Sequence, residues 1–314
     1  MGTQCLGFDT SNYTTSAAVF GGGTAENRGR LLTVPEGALG LRQSDALFQH
    51  VKRLHLMVEQ LRSEGAVGQI AAVGASTRPR EAEGSYMPCF LVGEGEGRAL
   101  AAAVGVPFYP CSHQQGHVAA AAWSAGREDL LDKPHLAWHL SGGTTELLRV
   151  EPEGHTVRAE VIGGTSDISA GQLVDRAGLL LGLPFPAGKA LDGLYPEADG
   201  AGFFRVKLNG LTFSLSGMEN KVKELAEKGE KPANVARFTI DTIMDVLLRA
   251  TREAQRKWPG LPVLCSGGVA SNRQIRASLE RACGAVFAQP QYATDNALGV
   301  AILAHRALER GIPG

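Results

Sequence analysis

Apolar positions along the chain follow two rhythms: short runs that end in Gly/Ser/Thr turns, and longer stretches with a period near 3.6. Runs at 3–8 and 14–20 flank the polar turn Asp9-Thr10-Ser11-Asn12-Tyr13 and predict a β-hairpin. Leu47, Val51, Leu54, Met57, Val58 and Leu61 recur at helical spacing and predict a helix over 44–63. A short strand over 69–76, a polar loop with two prolines, a helix over 93–104 and a short strand over 107–110 follow. Ser112, with Gln115 three residues on, has the form of a capping box, so a helix starts there and runs through Trp123. Strands from Trp138 to about 161, a helix over 169–181 and a Gly/Pro break at 182–188 come next. A long amphipathic helix over 233–257, with Val235, Phe238, Ile243, Val246 and Leu247 facing the core, precedes a strand at 263–265 and helices over 273–283 and 295–310.

Three of the strands run into turns of one type: Asp9-Thr10-Ser11, Leu140-Ser141-Gly142-Gly143 and Ser266-Gly267-Gly268. Glycines let backbone N–H groups converge on an anion and the hydroxyls add donors, so each turn is a candidate phosphate cradle, although each alone also reads as an ordinary hairpin turn. No Gly-Lys-Ser/Thr follows any of them, which excludes a Walker loop. The similar surroundings of the first two turns suggest an internal duplication. Two α/β lobes facing a nucleotide cleft are expected, over 1–133 and 134–314, with a helical insertion at about 168–258 in the second.

With 31 basic and 32 acidic residues the net charge is −1, which gives no general signal for nucleic-acid binding. Forty glycines fit many tight turns, and the persistent apolar periodicity argues against disorder. The five cysteines, odd in number and without CxxC spacing, read as reduced thiols. No apolar run approaches the ~18 residues of a membrane span, so a cytoplasmic protein without membrane association is expected.

His113-Gln-Gln-Gly-His117 puts two imidazoles four residues apart on the expected helix, close enough on one face to share a metal ion. Two solvated side chains on an exposed face would give the same pattern. A site needs a third ligand, and Asp295 and His139 are the candidates; Asp295 reads equally as a helix N-cap, and His139 as an ordinary strand residue. Two histidines with a carboxylate suit Fe(II), with zinc or manganese as alternatives. The general base of an HExxH peptidase is missing.

Eight ordered blocks then carry a resemblance. Gly7-Phe-Asp9-Thr10-Ser11 stands for G-I-E-T-S, His113 to His117 for H-M-E-G-H, Ser141-Gly-Gly-Thr-Thr for S-G-G-H-T, and Asp167 to Asp175 for D-D-A-A-G-E-A-F-D. Leu181 to Gly188 stands for L-G-L-x-Y-P-G-G, Phe213-Ser-Leu-Ser-Gly for F-S-F-S-G, Ser266 to Asn272 for S-G-G-V-A-A-N, and Thr294-Asp295-Asn296 for T-D-N. The chain resembles the TsaD family of threonylcarbamoyladenosine synthesis, within the actin-like/sugar-kinase/Hsp70 superfamily of α/β folds. That resemblance implies His113, His117 and Asp295 as metal ligands, with His139 at the position of a tyrosine ligand in archaeal relatives. It implies ATP, AMP or threonylcarbamoyl-adenylate held by Leu140, Ser141, Gly142, Gly143, Asp175, Gly188, Asp192 and Asn272, to which the turn residues Asp9, Thr10, Ser11, Gly267 and Gly268 are added. It implies transfer of a threonylcarbamoyl group from the adenylate to an adenosine of tRNA. TsaB-like and TsaE-like proteins, or a second copy of the chain, are the implied partners.

Departures lie at Ser112, at Glu219 where the family has lysine, and in the 77–85 loop that replaces a glycine-rich T-x-G-P-G-L. They leave open a different carbamoyl acceptor. A kinase or carbamoyltransferase of a small metabolite on the same fold, and a noncatalytic nucleotide-binding subunit, are the alternatives; retention of HxxxH with Asp295 counts against the latter.

Overall fold

A computed structural model describes residues 3–11, 13–34, 41–200 and 202–314. In chain order the elements begin with β1 (Gln4–Thr10), β2 (Thr14–Gly21), β3 (Thr24–Leu31), α1 (Gln43–Ser63), β4 (Ile70–Arg78), α2 (Phe90–Val104), β5 (Phe108–Ser112) and α3 (His113–Ser124). They continue with β6 (His135–Leu140), β7 (Thr145–Glu153), β8 (Thr156–Thr165), α4 (Ala170–Leu180), α5 (Gly188–Leu194), β9 (Leu208–Asn209), β10 (Thr212–Phe213) and α6 (Ser216–Glu227). The last are α7 (Pro232–Lys257), β11 (Val263–Ser266), α8 (Arg273–Cys283), β12 (Val286–Phe287) and α9 (Leu298–Glu309).

The strands form a five-stranded sheet, β3-β2-β1-β4-β5, and a seven-stranded sheet, β12-β11-β6-β7-β8-β10-β9. Each starts from an antiparallel pair, β1 with β2 and β6 with β7, and adds parallel strands beside its first strand, β4 and β5 in one and β11 and β12 in the other. This repeated order is the duplication that the turns suggest. The seven-stranded sheet differs by the added edge pair β9 and β10.

By internal contact the chain forms two compact units. The first comprises Met1–Asp132, Glu151–Ala159 and Asp295–Gly314, and the second Lys133–Val150 and Glu160–Thr294. The expected boundary at 133/134 falls at the first crossing, but the C-terminal segment clusters with the first unit, so a continuous second lobe to residue 314 does not describe the contacts. The cause is the apolar face of α9, whose Ala304 and Ala307 pack with Cys5, Ala72 and Tyr109 of the first sheet.

Side-chain alternation along β1 sets up the first unit. Leu6 and Phe8 join Leu54, Met57 and Leu61 of α1 and Val92 and Ala101 of α2 in one core cluster. Cys5 and Gly7 point to the opposite face, toward α9; a Cβ on Gly7 would stand 2.5 Å from the Ala301 backbone N. Asp9 continues this second series. In the second unit Leu136, Trp138 and Leu140 face α4, α6 and α7, and the buried Trp138 Nε1 donates to Thr251 Oγ1 at 2.9 Å.

Most expected elements stand within a few residues of their sequence bounds. β3 is an exception: with Glu26, Asn27, Arg28 and Arg30 it is a polar, half-exposed edge strand, and such a strand carries no apolar alternation to read.

Candidate metal and nucleotide sites

The metal candidates assemble within the first unit. β5 ends in Ser112, whose side chain accepts from the Gln115 backbone N–H while the Gln115 side chain accepts from the Ser112 N–H, a complete capping box. His113 is therefore the first residue of α3 and His117 lies one turn on, with ring centroids 4.3 Å apart. Asp295 does not cap α9. The N-cap of α9 is Ala297, with no side-chain cap; Asn296 Oδ1 accepts from the Leu298 N–H, and the Asp295 carboxylate turns to the histidines.

Gly299 allows the approach. A Cβ on Gly299 of α9 would stand 1.8 Å from the Gly116 carbonyl oxygen, so α3 and α9 cross backbone to backbone between the two histidines. The crossing brings the segment before α9 against the imidazoles. His113 Nε2 and His117 Nε2 lie 2.9 Å apart, and Asp295 Oδ1 is 3.6 Å and 3.3 Å from them. The ligand atoms of these three residues all fall within 4.8 Å of one another. Donors bound at about 2.1 Å to a four- or six-coordinate cation stand roughly 3.0–3.4 Å apart, so the N2O set fits a divalent ion.

The electrostatics follow from the carboxylates. Burial disfavours charge on His113, but Asp9 on one side and Asp295 on the other outweigh it and push its pKa up to about 10. Burial likewise opposes ionisation of Asp295, and hydrogen bonds from His113 and His117 overcome it and hold the carboxyl well below its usual range. Asp295 Oδ2 accepts from Thr14 Oγ1 at 3.3 Å, and Asp9 Oδ1 accepts from His113 Nδ1 at 2.9 Å and from Ser76 Oγ. Nothing in the sequence singles out Thr14 or Ser76 in these roles.

Asp9, Thr10 and Ser11, grouped by sequence with the nucleotide residues, form the end of β1 in this first unit. The turn that follows includes position 12, outside the described residues. Thr10 Oγ1 donates to Cys89 O and accepts from Gly93 N–H, which fixes the start of α2, and Ser11 is buried. Nearby His50 is fully buried, its Nδ1 2.8 Å from Thr15 Oγ1, and burial lowers its pKa from 6.5 to about 4 against the raising influence of Asp9. A depressed histidine pKa favours the neutral folded form, so this stability is present above about 6.5 and is lost as the pH falls toward 4. Between pH 7 and pH 5 the wild type should lose ~2 kcal/mol through His50. Urea midpoints for wild type and His50→Gln check this: the loss should be smaller by that amount in the variant.

The remaining nucleotide candidates come together in the second unit. Gly267, at φ 96°, lies against the Leu140 carbonyl, where a Cβ would clash at 2.2 Å, so the turns after β6 and β11 are neighbours. The Gly142, Gly143 and Gly268 Cα positions face open space, with no atom within 4 Å of where a Cβ would stand. Ser141 Oγ accepts from Thr144 N–H at 3.0 Å and closes the first of these turns. Asp175 Oδ1 accepts from the Ala187 N–H at 2.8 Å beside Gly188, and Asp192, one turn along α5, accepts from Asn272 Nδ2 at 3.0 Å. Asn272 also caps α8. His139 belongs to this unit, on β6, with its Nδ1 3.4 Å from Ser266 Oγ, whereas the cluster within 4.8 Å consists of His113, His117 and Asp295. Glu219, the charge reversal noted in sequence, is paired with Arg176.

Comparison with known proteins decides the family. The family description "TsaD: tRNA N6-adenosine threonylcarbamoyltransferase" matches residues 40–302. This chain belongs to the TsaD family. Among TsaD relatives, a tRNA N6-adenosine threonylcarbamoyltransferase of Thermus thermophilus is 34% identical over 275 residues, covering 84% of this chain and 80% of the relative. The Bacillus subtilis protein of the same name is 31% identical over 282 residues, covering 84% and 78%. In fold, this TsaD-family chain is similar to full-length HypF in its phosphate- and nucleotide-bound form, with TM-score 0.62, 14% identity, and coverage of 99% of this chain and 56% of HypF. It is also similar to the ROK hexokinase of Thermus thermophilus, with TM-score 0.53, 15% identity, and coverage of 98% and 100%. The mixed α/β fold expected from sequence is the one found, and these two solved structures share it.

Proposed function

We propose that this TsaD-family protein transfers a threonylcarbamoyl group from its adenylate to the N6 amine of an adenosine in tRNA, releasing AMP. Membership of the family supports the reaction. The observation that carries it to this chain is the convergence of His113, His117 and Asp295 within 4.8 Å, in the N2O arrangement a divalent cation requires. Fe(II) is the favoured ion and zinc the alternative. Bound there, the ion would supply Lewis acidity toward a carbonyl or phosphoryl oxygen.

The protein's own groups do the rest. His113 and His117 present Nε2, and Asp295 presents Oδ1 while Thr14 holds its second oxygen. Gly142, Gly143 and Gly268, with open space where a Cβ would stand, would offer backbone N–H groups to the adenylate phosphate, and Asp175, Gly188, Asp192 and Asn272, brought together around α5, would take the nucleoside. Pairing of Glu219 with Arg176 leaves little net charge there, so the reversal from lysine need not repel RNA.

Among the described residues no helix is long and apolar enough to cross a membrane, and all five cysteines are free thiols. Both fit a cytoplasmic enzyme acting on tRNA with TsaB-like and TsaE-like partners, or as a homodimer. The test is incubation of the protein with those partners, threonylcarbamoyl-adenylate, Fe(II) and unmodified tRNA, followed by mass spectrometry of the digested nucleosides. Threonylcarbamoyladenosine should accumulate with wild type and not with His117→Ala. A wild-type protein that modifies no tRNA under these conditions would refute the proposed acceptor.

A further inference from the structure

We propose that Asp9 is a positioning residue for the metal centre, acting through His113; the inference rests on the metal reading above. Side-chain alternation on β1 aims Asp9 toward the same face as Cys5 and Gly7, and the carboxylate is buried. Its Oδ1 accepts from His113 Nδ1 at 2.9 Å. With the Nδ1 proton held there, the ring presents Nε2 toward His117 Nε2 and Asp295 Oδ1. Ser76 Oγ, on the neighbouring parallel strand β4, donates to the same Oδ1 and fixes the carboxylate in turn.

The distribution of partners shows what Asp9 contributes. Both hydrogen bonds end on Oδ1, while Oδ2 is buried with no hydrogen-bond partner among the described residues. The single carbonyl oxygen of an asparagine could accept both bonds, with its amide NH2 in place of Oδ2, so the two hydrogen bonds alone do not call for a carboxylate. A carboxylate adds one thing, negative charge behind the imidazole, which makes Nε2 a stronger donor to a cation. The family pattern G-I-E-T-S carries a carboxylate at the same place, one methylene longer.

Asp9→Asn separates the two roles, because it keeps an acceptor of the same size and removes the charge. Co(II) is the probe, read by its visible absorption in a chelator competition with the full chain, with far-UV circular dichroism as the fold check. Wild type should bind one Co(II); Asp9→Asn should bind it about 10–100-fold more weakly, and Asp9→Glu should recover most of the loss. In the Zn(II)-loaded protein, the downfield Nδ1 proton of His113 should be present in wild type and shift upfield in Asp9→Asn. Binding by Asp9→Asn within about twofold of wild type, with an unchanged spectrum, would overturn the inference. A wild type that binds no Co(II) would overturn the metal reading itself and the inference with it. If Asp9→Asn does not fold, Ser76→Ala decides: affinity lowered about threefold or more supports the positioning role, and unchanged affinity overturns it.

Discussion

Replacing Asp295 by alanine is expected to remove metal binding and lower threonylcarbamoyl transfer by about 10³-fold or to background, with the fold retained. Asp295 is the one carboxylate of the cluster and stands before α9 without capping it. The substitution therefore removes a ligand, and the hydrogen bond from Thr14 is the one structural contact among the described residues lost with it beside those to the histidines. His113→Ala and His117→Ala should have effects of the same order, because two nitrogens alone or one nitrogen with a carboxylate hold a divalent ion poorly. Metal analysis of protein purified without chelator, followed by the transfer assay, measures both consequences. Near-wild-type transfer by Asp295→Ala would show that the cluster is not needed for the reaction.

Gly299→Ala should be the most damaging small change outside the ligands. Its Cβ would stand 1.8 Å from the Gly116 carbonyl oxygen, an atom that cannot move aside without shifting α3. The cost should be about 1–3 kcal/mol or more from overpacking, and the shift would separate Asp295 from the two imidazoles. Gly116→Ala makes the contrast. Its Cβ would meet Val300 Cγ2 at 3.4 Å and the Val300 N and Gly299 C backbone atoms at 3.7 and 4.0 Å, all ordinary contacts, so helix propensity should offset the mild crowding and stability should change by less than about 1 kcal/mol. Urea unfolding of the two variants, with Co(II) titration of each, gives the comparison.

The contrast also marks what the chain discloses before folding. Elements with local signals are legible: the Ser112/Gln115 capping box, the apolar period of α1 and α7, and Asn272 ahead of α8 are all decided within a few residues. The HxxxH spacing is local too, since one helical turn suffices to bring the rings together. The hidden parts depend on long-range approach. Asp9 meets His113 across 104 residues and Thr14 meets Asp295 across 281, through β1 alternation and the α3–α9 crossing that no local pattern records. Asp295 reads in sequence as a cap because Thr-Asp-Asn ahead of an apolar run fits one, and only the geometry shows α9 starting after Ala297 with no side-chain cap, which leaves the carboxylate to the histidines. The joining of 295–314 to the first unit is likewise a packing result, set by which sheet accepts the apolar face of α9.

The most direct test is a crystal structure of the natively purified protein with anomalous data collected at the iron and zinc edges. A single anomalous peak within about 2.3 Å of His113 Nε2, His117 Nε2 and an Asp295 carboxylate oxygen is the expected result. An ordered site with no anomalous density, in which Asp295 and the histidines pair only with one another, would contradict it.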